Sequence, residues 1–264
     1  MNKARRPLIA GNWKMYRGGA DGVDLAAGCA KLASAVPSVD LLIAPPFTVL
    51  AAASHEADGT SVAIAAQNLY PKKEGAFTGE VSPSMLKDAG CTWVLCGHSE
   101  RRQLFGDTNE RVAEKVAAAF DNDLAPIVCV GETLDEREAG QTLSVVRAQL
   151  DAVLPRLARE CAGPNGKPAA IAYEPVWAIG TGKNAGPAEA QEVHGAIRGW
   201  LESAAPGLGQ KLRILYGGSV KPENAKGLLT CPDVDGALIG NASLDIGSFG
   251  AIARTASEIS QSSN

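Results

Sequence analysis

Residues 126–131, Pro-Ile-Val-Cys-Val-Gly, form an apolar run of a kind that recurs along this chain. Nearly every position in the run is apolar, whereas a strand with one solvated face alternates apolar and polar residues. Continuous apolar runs are typical of strands that are buried on both faces of a parallel sheet. Seven similar runs occur at residues 8–12, 40–44, 61–66, 92–97, 169–173, 212–216 and 235–239. We therefore predict eight buried strands.

The segments between these runs have the apolar spacing of amphipathic helices. Asp107-Thr108-Asn109-Glu110 resembles a capped helix start, and Pro187 opens a second helical pattern. A third segment has apolar positions three and four residues apart, which predicts one long helix over residues 143–157. These positions are Leu143, Val146, Leu150, Val153 and Leu157. Successive strands start about 32 residues apart, which is the length of one strand–helix unit.

Eight strand–helix units with right-handed crossovers can close into a (β/α)8 barrel. We predict that residues 1–264 form a single α/β domain of this kind, with eight parallel strands inside an outer ring of helices, because no linker rich in Gly, Ser or Pro divides the chain. The alternative is an open, doubly wound sheet. That fold places a glycine-rich turn after its first strand, and residues 11–14 (Gly-Asn-Trp-Lys) are not such a turn, which favours the barrel.

Composition excludes several classes of protein. The 264 residues carry 25 Lys and Arg against 29 Asp and Glu, a net charge of −4 without a long basic run, so we expect no nucleic-acid partner and no membrane partner. No apolar stretch is long enough for a secretory signal or a membrane span, which favours a cytoplasmic location.

The six cysteines lack Cys-x-x-Cys spacing, so we expect reduced thiols. The three histidines are far apart, so we expect no metal site, with His55 and His194 at the surface.

Polar side chains collect at one end of the predicted strands. In a parallel barrel the carboxyl ends of all strands meet on one face, and active sites lie there. At these ends stand Asn12, Lys14, Gln67, Asn68, His98, Glu132, Glu174, Gly217-Gly218-Ser219 and Gly240-Asn241. The opposite ends carry residues that we interpret as solvated caps: Arg5, Arg6, Asp40, Thr92 and Arg213. The asymmetry predicts an active site on the carboxyl face.

Glycine clusters follow the last three strands: Gly180-Thr181-Gly182, Gly217-Gly218 and Gly240. Glycine lets backbone N–H groups approach a ligand closely, and several such groups together make an anion site. Each cluster alone could be a tight turn, but three in neighbouring loops predict a phosphate site. A nucleotide P-loop at residues 180–183 is excluded, because Trp177 replaces its first glycine and Asn184 its Ser or Thr.

His98 and Glu174 are candidates for acid–base chemistry. His98 ends a strand just before Ser99 and Glu100, which predicts a position at a helix N-terminus, where the dipole keeps the imidazole neutral. Glu174 precedes Pro175 and a glycine-bearing segment that could close as an apolar lid, and desolvation under a lid would make the carboxylate a stronger base. Glu132 also ends a strand but lacks a lid, so we favour Glu174 as the base.

Four motifs resemble the triosephosphate isomerase family. They are Gly11-Asn12-Trp13-Lys14-Met15, Cys96-Gly97-His98-Ser99-Glu100-Arg101-Arg102, Tyr-Glu-Pro-Val-Trp-Ala-Ile-Gly-Thr-Gly at residues 173–182, and Tyr216-Gly217-Gly218-Ser219-Val220. The resemblance extends from Pro7 to about Ile252. It implies a TIM barrel and reversible aldose–ketose isomerisation of D-glyceraldehyde 3-phosphate and dihydroxyacetone phosphate through an enediolate. It implies no cofactor and no metal.

The resemblance also implies roles for single residues. Glu174 is the catalytic base, His98 is the neutral electrophile, and Lys14 supplies positive charge beside the substrate that Asn12 helps to hold. The phosphate is bound by the backbone N–H groups of Gly180, Ser219, Gly240 and Asn241. Glu100 matches an acid near Lys14. Two positions depart from the family: Asn241 follows Gly240 where Gly-Gly is common, and Asn184 replaces a more usual Thr in the lid hinge. We expect phosphate binding to be retained and lid kinetics to change.

The loop from Gln67 to Glu80 would expose Phe77, and in the family this loop inserts into a partner subunit. The resemblance therefore implies a homodimer through residues 75–80. Three alternatives are weighed: an isomerase of a longer ketose phosphate on the same barrel, a Schiff-base aldolase, and a non-enzymatic sugar-phosphate binder. An aldolase needs a lysine inside the barrel, which no predicted strand carries. A binder would have no need for Glu174 opposite His98.

Overall fold

A computed structural model describes residues 5–178 and 185–262, which form one closed barrel of eight parallel strands. The strands are β1 (Leu8–Asn12), β2 (Asp40–Ala44), β3 (Val62–Ala66), β4 (Trp93–Cys96), β5 (Ala125–Val130), β6 (Ala170–Tyr173), β7 (Arg213–Tyr216) and β8 (Gly236–Ile239). They follow chain order around the barrel, which closes where Leu8 of β1 lies opposite Gly236 of β8. The predicted TIM barrel is confirmed, and each predicted strand agrees within one residue at either end.

Helices lie outside the barrel in the connections between strands. They are α1 (Gly19–Ala35), α2 (Leu50–Ala57), α3 (Pro83–Asp88), α4 (Ser99–Phe105), α5 (Asn109–Asp121), α6 (Leu134–Glu138), α7 (Thr142–Asp151), α8 (Leu154–Cys161), α9 (Pro187–Ala204), α10 (Leu208–Lys211), α11 (Pro222–Leu229) and α12 (Ile246–Ser262). The capped start before α5 is confirmed, because the Thr108 side chain accepts a hydrogen bond from the Arg111 N–H. Pro187 occupies the first position of α9, as predicted.

The single long helix predicted over residues 143–157 is wrong. The chain forms two helices there, α7 and α8, and they are separated at Ala152–Val153. Pro155 lies in the first turn of α8, where its missing N–H costs nothing. Inside a continuous helix the same proline would remove a hydrogen bond and clash with the preceding turn. The apolar stripe continues across the break because both helices pack on the barrel.

The core has two layers, and this explains the continuous apolar runs. Alternate side chains of a strand point to opposite faces. In β1, Leu8 and Ala10 belong to the cluster inside the barrel, whereas Ile9 belongs to the cluster between the barrel and the helices. The same alternation places Leu95 inside and Val94 outside in β4. Both faces of each strand are therefore buried, so neither face favours polar residues.

Two further sequence expectations concern compartment and thiols. Within the described ranges, no helix has both the length and the apolar character needed to cross a membrane. All six cysteines are buried and unpaired.

Candidate active site

His98 and Glu174 are in direct contact at the carboxyl ends of β4 and β6. The His98 Nε2 atom lies 3.0 Å from Oε1 of Glu174, and both side chains are almost fully buried. Glu174 also accepts a hydrogen bond from the Ser99 backbone N–H at 2.9 Å. The two residues are 76 positions apart in the chain, and the barrel brings them together because the carboxyl ends of all its parallel strands share one face.

Gly217 provides the space in which the Glu174 side chain lies. A Cβ atom on Gly217 would stand 2.7 Å from the Glu174 Cγ, which is closer than real Cβ contacts. The Gly217 N–H donates to the Tyr173 carbonyl at 2.7 Å, so β6 and the loop after β7 are held together at this point. A larger residue would therefore have to displace the carboxylate.

The hydrogen bonds of His98 indicate a neutral ring with its proton on Nε2. The residue caps the N-terminus of α4, and its Nδ1 accepts a hydrogen bond from the Glu100 N–H at 3.3 Å, which only an unprotonated Nδ1 can do. Burial favours the neutral ring, but the Glu174 carboxylate opposes burial and raises the pKa of His98 above its ordinary value. A substrate that separated the two side chains would remove this opposing effect. The helix N-terminus is as predicted, whereas the raised pKa is opposite to the direction expected from the dipole alone.

Glu174 is ionised while it contacts His98. Burial would raise the pKa of its carboxyl, but His98, the Ser99 N–H and Lys14 together outweigh burial and hold the pKa below its ordinary value. The stronger base predicted from an apolar lid therefore needs a different arrangement, in which the carboxylate leaves His98 and Ser99. Residues 179–184, which include most of the predicted lid, lie outside the described residues.

Lys14 projects into the site from a strained turn after β1. Its φ of 51° lies in the left-handed region, which is uncommon for a lysine. The Asn12 side chain accepts from the Lys14 N–H at 3.0 Å, and Gln67 donates to the Lys14 carbonyl at 2.8 Å. The ammonium lies 2.5 Å from Oε1 of Glu100. Three hydrogen-bonded side chains thus fix a positive charge beside His98, and strain of this kind often marks functional sites.

A cavity of about 430 Å³ opens beside these side chains. Its lining includes Asn12, Lys14, His98, Glu174, Ser219, Gly240 and Asn241. Asn241 begins a short 3-10 turn (Asn241–Leu244) that follows Gly240. Within residues 5–178 and 185–262, the backbone N–H groups of Ser219 and Asn241 have no acceptor, so both can bind an anion. Gly180, the fourth predicted phosphate ligand, lies outside the described residues.

Glu132 has a role that the sequence interpretation missed. Its buried carboxylate accepts hydrogen bonds from the Tyr173 hydroxyl at 3.1 Å and from the Trp177 Nε1 at 2.9 Å. The Arg137 guanidinium lies 3.6 Å from the same carboxylate and 4.4 Å from the Trp177 ring centroid. Glu132 therefore holds the leading end of the lid segment. The feature of the sequence that indicated a role for Glu132 was its position at the end of an apolar strand.

Nearly the whole chain is similar to known proteins. The family model for triosephosphate isomerase matches residues 7–256. The chain is 51% identical to the triosephosphate isomerase of Citrifermentans bemidjiense, over 95% of this chain and 98% of that protein. It is 51% identical to the enzyme of Magnetococcus marinus, over 94% and 97% of the two chains, and 49% identical to that of Geobacter metallireducens, over 94% and 98%. The chain belongs to the triosephosphate isomerase family.

Within this triosephosphate isomerase family member, seven predicted site residues line one cavity: Asn12, Lys14, His98, Glu174, Ser219, Gly240 and Asn241. Arg102 was not predicted, although its guanidinium donates to the Gly97 carbonyl at 2.8 Å and to the Cys129 carbonyl at 3.2 Å. It therefore ties the residue before His98 to β5. Arg102 ends the motif Cys96–Arg102, but the sequence alone assigns it no role, because its contact with Cys129 depends on the fold.

The prediction that His194 lies at the surface is wrong, whereas His55 is exposed as expected. His194 is fully buried between the rings of Tyr173 and Tyr216, with centroid distances of 5.9 and 6.3 Å. Burial lowers its pKa to about 4, so the ring is neutral. It shares the apolar face of α9 with Ile197 and Leu201, three and seven positions further on, and this spacing could have revealed its burial.

Proposed function

We propose that this protein interconverts D-glyceraldehyde 3-phosphate and dihydroxyacetone phosphate through an enediolate. One observation carries the proposal: a carboxylate and an imidazole lie 3.0 Å apart on the wall of a cavity, where the backbone N–H groups of Ser219 and Asn241 have no acceptor among the described residues. A base, a proton donor and an anion site are what proton transfer between adjacent carbons of a sugar phosphate requires. Relatives that share about half of their residues with this chain, over nearly its full length, also support this substrate over a longer ketose phosphate.

We assign His98 the role of electrophile. Its Nε2 proton, now donated to Glu174, would be donated to the substrate carbonyl and to the oxygens of the enediolate. A neutral donor suits this step because its proton affinity is closer to that of an enediolate oxygen. The Glu100 N–H keeps the proton on Nε2 by occupying Nδ1.

We assign Glu174 the role of base. The substrate would displace it from His98 and from the Ser99 N–H, and the carboxylate would then lose the hydrogen bonds that lower its pKa. It would take a proton from one carbon and return it to the neighbouring carbon. Trp177, whose Nε1 donates to Glu132, would exclude water from the site and so protect the enediolate.

We assign phosphate binding to the backbone N–H groups of Ser219, Gly240 and Asn241, together with Gly180. Asn12 and Lys14 would hold the rest of the substrate, and the ammonium of Lys14 would balance the charge of the enediolate oxygens. A Cβ on Gly240 would lie 3.4 Å from the Lys14 Cε, so the two groups line the same part of the cavity.

We further propose a cytoplasmic homodimer that forms through the loop around residues 75–80. Large apolar side chains are exposed on this loop and beside the site: Met15 (93% exposed), Leu104 (73%), Phe105 (65%), Met85 (54%) and Phe77 (38%). Exposure of so many large apolar residues is costly in a monomer and supports a protein interface. Light scattering on the purified protein would report a mass near twice 27.2 kDa, whereas a monomer mass at micromolar concentration would contradict the dimer.

Steady-state kinetics with glyceraldehyde 3-phosphate test the assigned roles. Glu174→Asp retracts the carboxylate by one methylene and should lower kcat on the order of 10²-fold. His98→Gln removes the group that exchanges protons and should lower kcat by about 10²–10⁴-fold. His55→Gln is the matched control on an exposed histidine and should keep the parent rate. If both site variants isomerised the substrate as fast as the parent, the roles assigned here would be wrong.

A further inference from the structure

A second cavity of about 440 Å³ opens at the amino-terminal end of the barrel, opposite the active site. It lies among the starts of β1, β2, β6 and β7, and we name it the basal cavity. Five cationic side chains and a single carboxylate line it: Arg5, Arg6, Lys167, Lys211, Arg213 and Asp40. The protein as a whole has a net charge of −4, so this concentration of positive charge is local.

Asp40 cannot neutralise the guanidinium groups around it. Its Oδ1 lies 2.5 Å from the Arg6 Nε, and its Oδ2 lies 2.6 Å from the Arg213 Nη1. One carboxylate therefore serves two arginines. The Lys211 ammonium adds a further charge, since no carboxylate in the described part of the chain lies within 4 Å of it.

Arg5 forms the floor of the basal cavity and is not the solvated cap that the sequence suggested. Its side chain is only 2% exposed, and its Nε lies 2.7 Å from Asp235. Asp235 also accepts from Arg198 at 2.7 Å, and Arg198 is itself paired with Asp233 at 2.6 Å. Lys167 differs, because it is paired with Asp123 at 3.2 Å.

Some hydrogen-bond donors of the basal cavity have no acceptor in the described part of the chain. Arg5 donates through Nε to Asp235 and through Nη1 to Gln210 at 3.2 Å, which leaves its Nη2 group without an acceptor in residues 5–178 and 185–262. Arg213 donates through Nη1 alone within the same ranges, so its Nε and Nη2 groups are unused. Guanidinium groups with free N–H pairs bind oxyanions in a bidentate manner.

We propose that the basal cavity binds a small anion that carries two or more phosphate groups. Convergent cations with unpaired donors favour tetrahedral oxyanions, and the spread of Arg5, Arg213 and Lys211 over one open cavity matches a ligand with several charged groups. Residues at the amino-terminal end of such a barrel contribute to stability, whereas catalytic residues lie at the carboxyl end. The ligand would accordingly stabilise the folded protein by mass action and leave turnover unchanged.

Isothermal titration calorimetry of the full-length protein with inorganic pyrophosphate tests the proposal. The test variant is Arg213→Gln with Lys211→Gln, and the control is Arg254→Gln with Lys31→Gln, which removes the same charge from exposed positions of α12 and α1. Binding at the active site is measured separately as competitive inhibition of isomerisation, which should be equal in all three proteins. Circular dichroism verifies that each is folded.

We expect the parent to bind pyrophosphate at a second site whose occupancy does not inhibit isomerisation. The affinity of this second site should fall about tenfold or more in the test variant and stay unchanged in the control. Pyrophosphate should also raise the Tm of the parent more than that of the test variant. Three outcomes would overturn the proposal: no binding beyond the inhibitory site, equal loss of affinity in both variants, or orthophosphate binding as tightly as pyrophosphate.

Discussion

Replacement of Gly217 by alanine tests directly whether the position of the Glu174 carboxylate controls the reaction. The added Cβ would lie 2.7 Å from the Glu174 Cγ and 3.2 Å from the Tyr173 carbonyl oxygen. Ordinary contact begins near 3.4 Å, so the Cγ atom must recede by about 0.7 Å. The φ of Gly217 lies outside the left-handed region, and alanine is therefore accommodated by the backbone. The strain falls on the side chain of Glu174, the proposed base.

The expected loss follows from this displacement. A shift of about 1 Å in a catalytic group costs on the order of 10²-fold in rate, so about 0.7 Å should lower kcat by roughly 10–10²-fold. This corresponds to about 1.4–2.7 kcal/mol of transition-state stabilisation. Overpacking should also lower the free energy of unfolding by about 1–3 kcal/mol. KM should change little, because Ser219, Gly240 and Asn241 are not displaced.

Steady-state kinetics and urea unfolding of the same preparations check this prediction. Gly199→Ala is the matched control, because a Cβ on Gly199 would meet no atom within 4 Å, and this variant should keep the parent kcat. The reasoning is refuted if Gly217→Ala retains the parent kcat. It is equally refuted if kcat falls only in proportion to the fraction of unfolded protein at the assay temperature.

Three further predictions concern groups outside the substrate cavity. His194→Asn should weaken the dependence of the free energy of unfolding on acid pH. Burial lowers the His194 pKa from 6.5 to about 4, so the stability contributed by the neutral ring is fully present above pH 6.5. Up to about 3 kcal/mol of that stability is lost as pH falls towards 4. Urea unfolding between pH 4 and 6.5 checks this prediction, and an equal change of the unfolding free energy with pH in both proteins would contradict it. Arg102→Met should lower kcat about tenfold, because the carbonyl of Gly97 loses the donor that positions it; an unchanged kcat in the folded variant would exclude this role. Asp235→Asn should lower the free energy of unfolding by about 3–5 kcal/mol by leaving buried Arg5 uncompensated, and a loss below about 1 kcal/mol in urea would disprove it.

The sequence predicted the barrel well because its physical signal is local. A strand with both faces buried must be apolar at every position, and β5 and β6 meet that requirement within a few consecutive residues. The strand ends were equally clear, since Glu132 and Glu174 are charged residues that directly follow such runs. The helix division at Ala152–Val153 was missed, although Pro155 marked it, because the apolar stripe continues through both helices.

The sequence by itself determined the fold, the face that holds the site and the residues that line the substrate cavity, because all of these depend on residue type and spacing along the chain. Only the tertiary structure decided what those residues do to one another. The contact between His98 and Glu174 opposes the effect of burial on both pKa values, Glu132 holds Trp177, and Arg6 and Arg213 share the single carboxylate of Asp40. These effects depend on distance and burial between residues far apart in the chain, and electrostatic interaction changes steeply with both.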